Sequence, residues 1–152
     1  MNKMNLLEWA RACFSNDLYA TQATGISIKE VSSCGKGGEA VCEIELQPHH
    51  LNARGAVMGG VFFTLADFAA GVAVNLAEAL PRLGQEMSQE ELFSLHWVST
   101  NSTIHFLSQP KGKKITAYAR CLRQGRTTGL YQVEVKEDDR LLALVTTTGM
   151  RV

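Results

Sequence analysis

Residues 57–79 read VMGGVFFTLADFAAGVAVNLAEA, an apolar run in which Asp67 is the single ionisable residue before Glu78. Two readings of such a run compete. A stretch of about 20 apolar residues meets the length criterion for a membrane span. Against that stands Asp67 near the midpoint, where a carboxylate costs about 2.5–3.5 kcal/mol on insertion scales. Thr64 and Asn75 add further polar groups, and no aromatic belt flanks the run. A helix apolar all round is instead the buried centre of a folded domain, provided that other elements cover its faces. The run predicts a core helix and no membrane partner.

Outward from it, the chain supplies that cover. Residues 26–31 and 40–46 alternate apolar and polar side chains, with Gly35, Gly37 and Gly38 between them, which predicts a hairpin. Four strand-like runs follow the helix, at 96–107, 115–123, 130–137 and 141–148. Short turn sequences separate them: Gln109-Pro110-Lys111-Gly112, Gly125-Arg126 and Asp138-Asp139. At the other end, Met4, Leu6, Leu7, Ala10 and Phe14 have the spacing of a short amphipathic helix over residues 4–14. The order predicts an α+β fold, an antiparallel sheet of about six strands wrapped around a long central helix, in one domain over residues 1–152.

Composition excludes several functions. Fifteen Lys and Arg balance fifteen Asp and Glu in 152 residues, so bulk electrostatic attraction to nucleic acid is absent. Cys13, Cys34, Cys42 and Cys121 form no Cys-x-x-Cys pair. Neither they nor His49, His50, His96 and His105 show metal-ligand spacing, so no metal and no bound cofactor is expected. Lys3, Glu8 and Arg11 interrupt the apolar start of the chain, which predicts a cytoplasmic protein rather than one with a secretory leader.

The chemistry centres on Asp67. On a helix it shares a face with Gly60, Phe63, Thr64, Ala70, Gly71 and Val74. Glycine in a helix interior costs up to about 1 kcal/mol, so Gly60 and Gly71 point to close approach by another backbone or a ligand. A core carboxylate satisfied by structural partners is the competing reading. Gly59-Gly60 shifts the balance, because the first turn of a helix carries unpaired N–H groups and partial positive charge suited to polarising a carbonyl. With the amide of Asn52 on the preceding loop, these groups make a general-base or nucleophile site for acyl transfer. Phe62, Phe63 and Phe68 are expected in the core.

The run His50-x-Asn52-x-x-Gly55-x-x-Met58-Gly59-Gly60, followed by Thr64-Leu65-Ala66-Asp67, resembles the signature of hotdog-fold acyl-CoA thioesterases of the phenylacetate-degradation, PaaI-like type. Downstream, Ser99-Thr100-Asn101, Ile104-His105-Phe106-Leu107, Gln109-Pro110, Gly125-Arg126-Thr127 and Met150-Arg151-Val152 follow that family's order. The resemblance implies that Asp67 activates water or attacks the thioester while the Gly59 N–H polarises the carbonyl. Asn52 would orient water or the acyl group, Gly60 would line the substrate site, and His50 would shape the loop that presents Asn52. Ser99 would support the attack, with Thr100 its competitor one residue on. The resemblance also implies homodimers or homotetramers with composite sites, Asn52 and Gly59 of one chain facing Asp67 and Ser99 of the other.

One departure stands out: relatives usually carry His where this chain has Met58, which cannot donate a hydrogen bond. A non-catalytic acyl-CoA-binding or sensing module is therefore the second reading. A hotdog hydratase needs a histidine on or near the helix, and residues 59–79 contain none. For the coenzyme, Arg123, Gly125, Arg126 and Thr127 form a turn with two guanidinium groups, a hydroxyl and backbone N–H groups suited to phosphates, and Lys111, Lys113 and Lys114 are weaker candidates. The polar stretch 81–91 is longer than is common in the family.

Overall fold

The structure is a computed structural model that describes residues 4–152; residues 1–3 of the predicted domain lie outside the described residues. Helix α1 spans Leu6–Phe14 and starts where Asn5 and Glu8 cap each other's backbone N–H groups. It buries Trp9, Ala10 and Phe14; of the expected face Ala10 and Phe14 are buried and Met4, Leu6 and Leu7 partly so, while Trp9 stands outside that expectation. A π-helical turn at Tyr19–Ala23 follows, which the sequence pattern does not announce.

The six strands are β1 (Ser27–Cys34), β2 (Gly37–Glu45), β3 (Trp97–Phe106), β4 (Lys114–Gln124), β5 (Thr128–Glu137) and β6 (Arg140–Arg151). They form one antiparallel sheet in the order β1-β2-β4-β5-β6-β3, so β1 and β3 are its edges. The expected strands are all present, each within a few residues of its predicted bounds.

Between β2 and β3 runs α2, Gly59–Arg82, 24 residues long. The sheet folds over it, burying Leu65, Ala66, Ala69, Val72, Ala73 and Leu76 completely or nearly so. By length and composition α2 would cross a bilayer, yet 61% of its most apolar window is buried by the rest of the chain. Its polar Asn75 is satisfied inside the fold: Nδ2 donates to the Gly71 carbonyl, and Oδ1 accepts the N–H groups of His96 and Trp97. That clasp docks the start of β3 on the helix.

Two expectations for α2 need correction. The helix does not stop before Pro81 but carries it in its last turn, where Arg82 is held by Glu78 Oε2 at 3.0 Å and by the Ser94 carbonyl at 2.7 Å. Nor is every face covered. Gly60 and Phe63 are exposed, and Thr64, Asp67 and Gly71 are half-buried, because the sheet curls around the opposite side. The polar stretch after the helix holds a short helix α3 (Gln89–Leu92), capped by Ser88 and Glu91. It rests on α1, whose Trp9 indole donates to the Leu92 carbonyl at 2.8 Å. It therefore lies near the C-terminus of α2, about 35 Å along the axis from Gly59.

The sheet meets the helix closely at Gly38, where a Cβ would stand 2.5 Å from the Ala73 carbonyl oxygen and 2.6 Å from Leu76 Cβ. Neither atom can yield without moving the helix. Gly38→Ala is expected to lower stability by about 1–3 kcal/mol, read as a shifted urea midpoint. Gly84→Ala, with open space at the same distance, should stay within about 0.5 kcal/mol of the parent.

Candidate active site

The loop before α2 is closed by its own side chains. His50 is 3% exposed: its Nδ1 accepts the Gln47 N–H at 2.9 Å, and Nε2, which therefore carries the proton, donates to the Thr24 carbonyl at 2.8 Å. Both ring nitrogens are occupied, so His50 shapes the loop and does not reach a ligand. Asn52 Oδ1 accepts the N–H groups of Arg54 (2.9 Å) and Ala56 (3.2 Å), and Gly55 takes the positive φ of 76° that the tight turn requires. The Asn52 Nδ2 group has no partner among the described residues, which leaves a donor on the exposed side of the loop. Gln109 grips the loop's far end, accepting the Val57 N–H at 2.8 Å.

This loop delivers the chain into α2 with Met58 at the N-cap, exposed and without a side-chain cap. The Val61 N–H is taken by the Met58 carbonyl, while those of Gly59 and Gly60 have no partner among the described residues. A Cβ on Gly59 would stand 3.0 Å from the Phe106 ring, so a side chain there would push that exposed ring aside. The result is a pair of free donors at the positive end of a long helix, open to an oxyanion.

Asp67 lies on the open face of the same helix. Ser99 on β3 donates to its Oδ1 at 2.8 Å, and its other oxygen has no partner among the described residues. A β-bulge arranges this contact. Ser99 pairs with Gly149 and Asn101 with Thr148, so Thr100 is the extra residue. Without the bulge, strict alternation would put Ser99 on the face opposite Ser102, whose hydroxyl meets the buried Thr147 at 2.9 Å. Of the two candidates only Ser99 meets Asp67; Thr100 donates instead to the Thr148 carbonyl.

The carboxylate is not walled off. With Phe63 and Thr64 of α2, Tyr19 of the π-helical turn and Asp17 just before that turn, it lines an open cavity of about 240 Å³. Phe62 and Phe68 are core residues as expected, but Phe63 is 36% exposed and belongs to the cavity wall. Asp17 and Tyr19 escaped the sequence reading because residues 15–25 show no periodicity; the Asn16-Asp17 pair was the one available sign of a turn there.

The chain does not bring every candidate together. Eight residues separate Gly59 from Asp67, about 12 Å along the helix, and a single thioester carbonyl cannot touch both. Within one chain the free amides and the carboxylate with its hydroxyl thus stand as two separate groups. The β4–β5 turn lies further off, toward the C-terminal turns of α2. Arg123 and Arg126 are exposed there with no ion-pair partner among the described residues, whereas the Gly125 N–H, expected to be free for a phosphate, donates to the Thr128 carbonyl at 2.8 Å. The Thr127 carbonyl accepts the Arg151 N–H. Among the described residues no three His, Cys, Asp or Glu side chains cluster as metal ligands.

Residues 54–144 match the thioesterase superfamily. The acyl-coenzyme A thioesterase PaaI of Escherichia coli K12 is 32% identical over 137 residues, covering 89% of this chain and 83% of that protein. Superposed on the solved E. coli PaaI, the chain gives a TM-score of 0.76 at 26% identity, over 97% of this chain and 96% of the other. The phenylacetic acid degradation protein PaaI of Thermus thermophilus matches with a TM-score of 0.69 at 25% identity, over 87% and 97% of the two chains.

The buried His50 makes the loop pH-sensitive. Burial lowers its pKa below the usual imidazole value, against the Thr24 carbonyl, which favours the proton. The unfolded chain takes up this proton near pH 6.5 and the folded chain only at lower pH, so the contribution is complete above about pH 6.5 and lost as pH falls. The urea midpoint should drop from pH 7 to pH 5.5, and the drop should be smaller in His50→Gln. That variant also loses about 1–3 kcal/mol at pH 7 if its amide leaves either backbone partner unpaired.

Proposed function

The chain belongs to the thioesterase superfamily, with the hotdog fold of its PaaI-like members, and on that premise we propose that it hydrolyses an acyl-CoA thioester to the free acid and coenzyme A. The observation that carries the reading is the Asp67 carboxylate, held by Ser99 and open to a cavity on the uncovered face of α2. A merely structural acid would have its oxygens filled.

The site is composite. Because the free amides and the carboxylate of one chain stand about 12 Å apart, the carbonyl bound by Gly59 is attacked at Asp67 of a second copy. Edge strand β3 and the open face of α2 offer the surface for that copy: Val98 and Phe106 are exposed, and the outer edge of β3 has no paired strand. The working unit is a cytoplasmic homodimer or homotetramer in which Asn52, Gly59 and Gly60 of one protomer face Asp67 and Ser99 of its partner.

In the general-base route Asp67 takes a proton from water held by Ser99 and the Asn52 amide, and the oxygen adds to the thioester carbon. The developing oxyanion is held by the Gly59 N–H and the helix dipole. Collapse breaks the C–S bond, and the proton passes from Asp67 to the leaving thiolate. In the nucleophilic route Asp67 itself adds to the carbon, the thiolate leaves, and water cleaves the resulting anhydride. Single turnover in ¹⁸O-water identifies the second route when water enters at the Asp67 carbonyl of the anhydride, because label in the Asp67 carboxylate arises by no step of the first. With Met58 in place of a hydrogen-bonding side chain, the backbone amides carry the polarisation alone.

Asp67→Asn is expected to lower kcat at least about 10³-fold with Tm unchanged, and Ser99→Ala about 10-fold, in a thiol-release assay over short, medium and aromatic acyl-CoAs. Met58 also motivates a second reading, a non-catalytic acyl-CoA-binding module. That reading gains if CoA esters stabilise wild type and Asp67→Asn equally while neither releases thiol.

A further inference from the structure

The cavity beside Asp67 is apolar on one part of its wall and acidic on the other. Phe63 and Phe68 of α2 and the ring of Tyr19 supply the apolar part, and Phe14 backs Phe68 edge-on with ring centroids 5.5 Å apart. The acids are Asp67 and Asp17, and no Lys, Arg or His lines the space among the described residues. Asp17 takes no part in the proposed hydrolytic step. Its Oδ1 accepts the Ala20 N–H at 3.4 Å, and its Oδ2 has no partner among the described residues. Thr64 does not offset the two charges, because its hydroxyl donates to the Gly60 carbonyl at 2.8 Å. The Tyr19 hydroxyl, neutral and exposed, is the one side-chain donor left free in the wall among the described residues.

The segment that carries Asp17 is tied down on both sides. Thr21 donates its N–H at 2.9 Å and its hydroxyl at 2.8 Å to the Asp17 carbonyl, and the Ile26 N–H donates to the Ala20 carbonyl at 2.9 Å. His49 and His50 donate to the Ala23 and Thr24 carbonyls at 3.2 and 2.8 Å, which bolts the turn to the loop of Asn52. Volume then decides which part of a thioester enters. At about 30 Å³ for each water-sized group, 240 Å³ holds roughly eight non-hydrogen atoms, a short acyl chain or a single ring and far less than the coenzyme. We propose that this cavity receives the acyl group and that Asp17 is its charge filter, admitting neutral acyl groups and rejecting those that end in a carboxylate; this rests on the thioesterase reading above. A terminal carboxylate would enter beside two others with no cation to meet it. Discrimination of this kind is built by repulsion, and beside an exposed partner it amounts to roughly 5- to 30-fold.

A larger cavity, about 590 Å³, adjoins the other half of the proposed site, since its wall includes Val57, two residues from Gly59. Its charges are mixed: Glu45 stands against Arg54 and Lys113. An acyl group lodged there would gain from a terminal carboxylate, so the two locations predict opposite preferences.

The test compares kcat/KM for pentanoyl-CoA and glutaryl-CoA, whose five-carbon acyl chains differ in a terminal methyl against a carboxylate. Both carry the same coenzyme, so effects on coenzyme binding cancel in the ratio. Wild type should prefer pentanoyl-CoA, and the preference should weaken as salt is raised. Asp17→Asn keeps an oxygen to accept the Ala20 N–H and should raise the glutaryl-to-pentanoyl ratio roughly 5- to 30-fold, whereas Asp17→Glu, which restores the charge, should return it toward wild type. Arg54→Ala/Lys113→Ala should leave the ratio within about twofold, because neither side chain lines this cavity. The filter is wrong if wild type prefers glutaryl-CoA, if Asp17→Asn keeps the wild-type ratio, or if the Arg54/Lys113 pair moves the ratio instead. The thioethers S-pentyl-CoA and S-carboxybutyl-CoA, which cannot be hydrolysed, separate this from the hydrolase reading through their Kd values. Should no ester release thiol while Asp17→Asn still shifts the Kd ratio of the thioethers, the filter stands and the hydrolase reading falls; if neither thioether binds, both fall.

Discussion

The sheet covers most of α2 and leaves one strip of it bare. Covering a helix of 24 residues with a six-stranded sheet buries the side chains that Gly38, Ala73 and Leu76 typify, at a distance so short that β2 tolerates no Cβ at its closest point. A sheet with two edges cannot close around a cylinder, and the bare strip runs along edge strand β3. An ionised carboxylate would be costly on any other face, because burial without partners penalises charge by several kcal/mol. On the strip Asp67 keeps water and a cavity on one side and a Ser99 hydrogen bond on the other. The packing constraint thus determines where chemistry can be done, and the catalytic reading depends on it.

Whereas the register shifts in β4 and β5 lie away from Asp67, the same constraint gives the irregularities of β3 a place at the site. Asn75 clasps its first residues, a bulge at Thr100 turns Ser99 toward the helix, and Phe106 closes over Gly59 at its other end. Strict alternation over ten residues would satisfy the core but miss either Asp67 or the Thr147 hydroxyl. The extra residue lets one strand serve both.

Much of this was legible in the sequence. The strands, the core helix and the special status of Asp67 follow from period and composition, because burial selects residue types at fixed spacing. Other features follow from long-range geometry that spacing does not encode. The 36% exposure of Phe63 depends on which side the sheet covers, and no local pattern distinguishes it from Phe62. The occupied N–H of Gly125 depends on the turn's hydrogen bond to Thr128, and the seclusion of His50 on a partner 26 residues away. Residues 15–25 carry no periodicity, and the Asn16-Asp17 pair alone hints at the turn that sets Asp17 and Tyr19 beside the carboxylate.

Distances along α2 then divide the proposed reaction among fixed stations on one rigid rod. Free amides stand at its start and a carboxylate about 12 Å on. A carbonyl reacting at the carboxylate cannot at the same time touch the start of the same rod. In the mechanism we propose, the polarising amides come from a second rod lying alongside, so that the proposed chemistry itself would require a dimer. Met58 sharpens the requirement: with no side chain at the N-cap to orient the carbonyl, alignment rests on how the two rods are set against each other, and so on the packing of β3 and the bare strip.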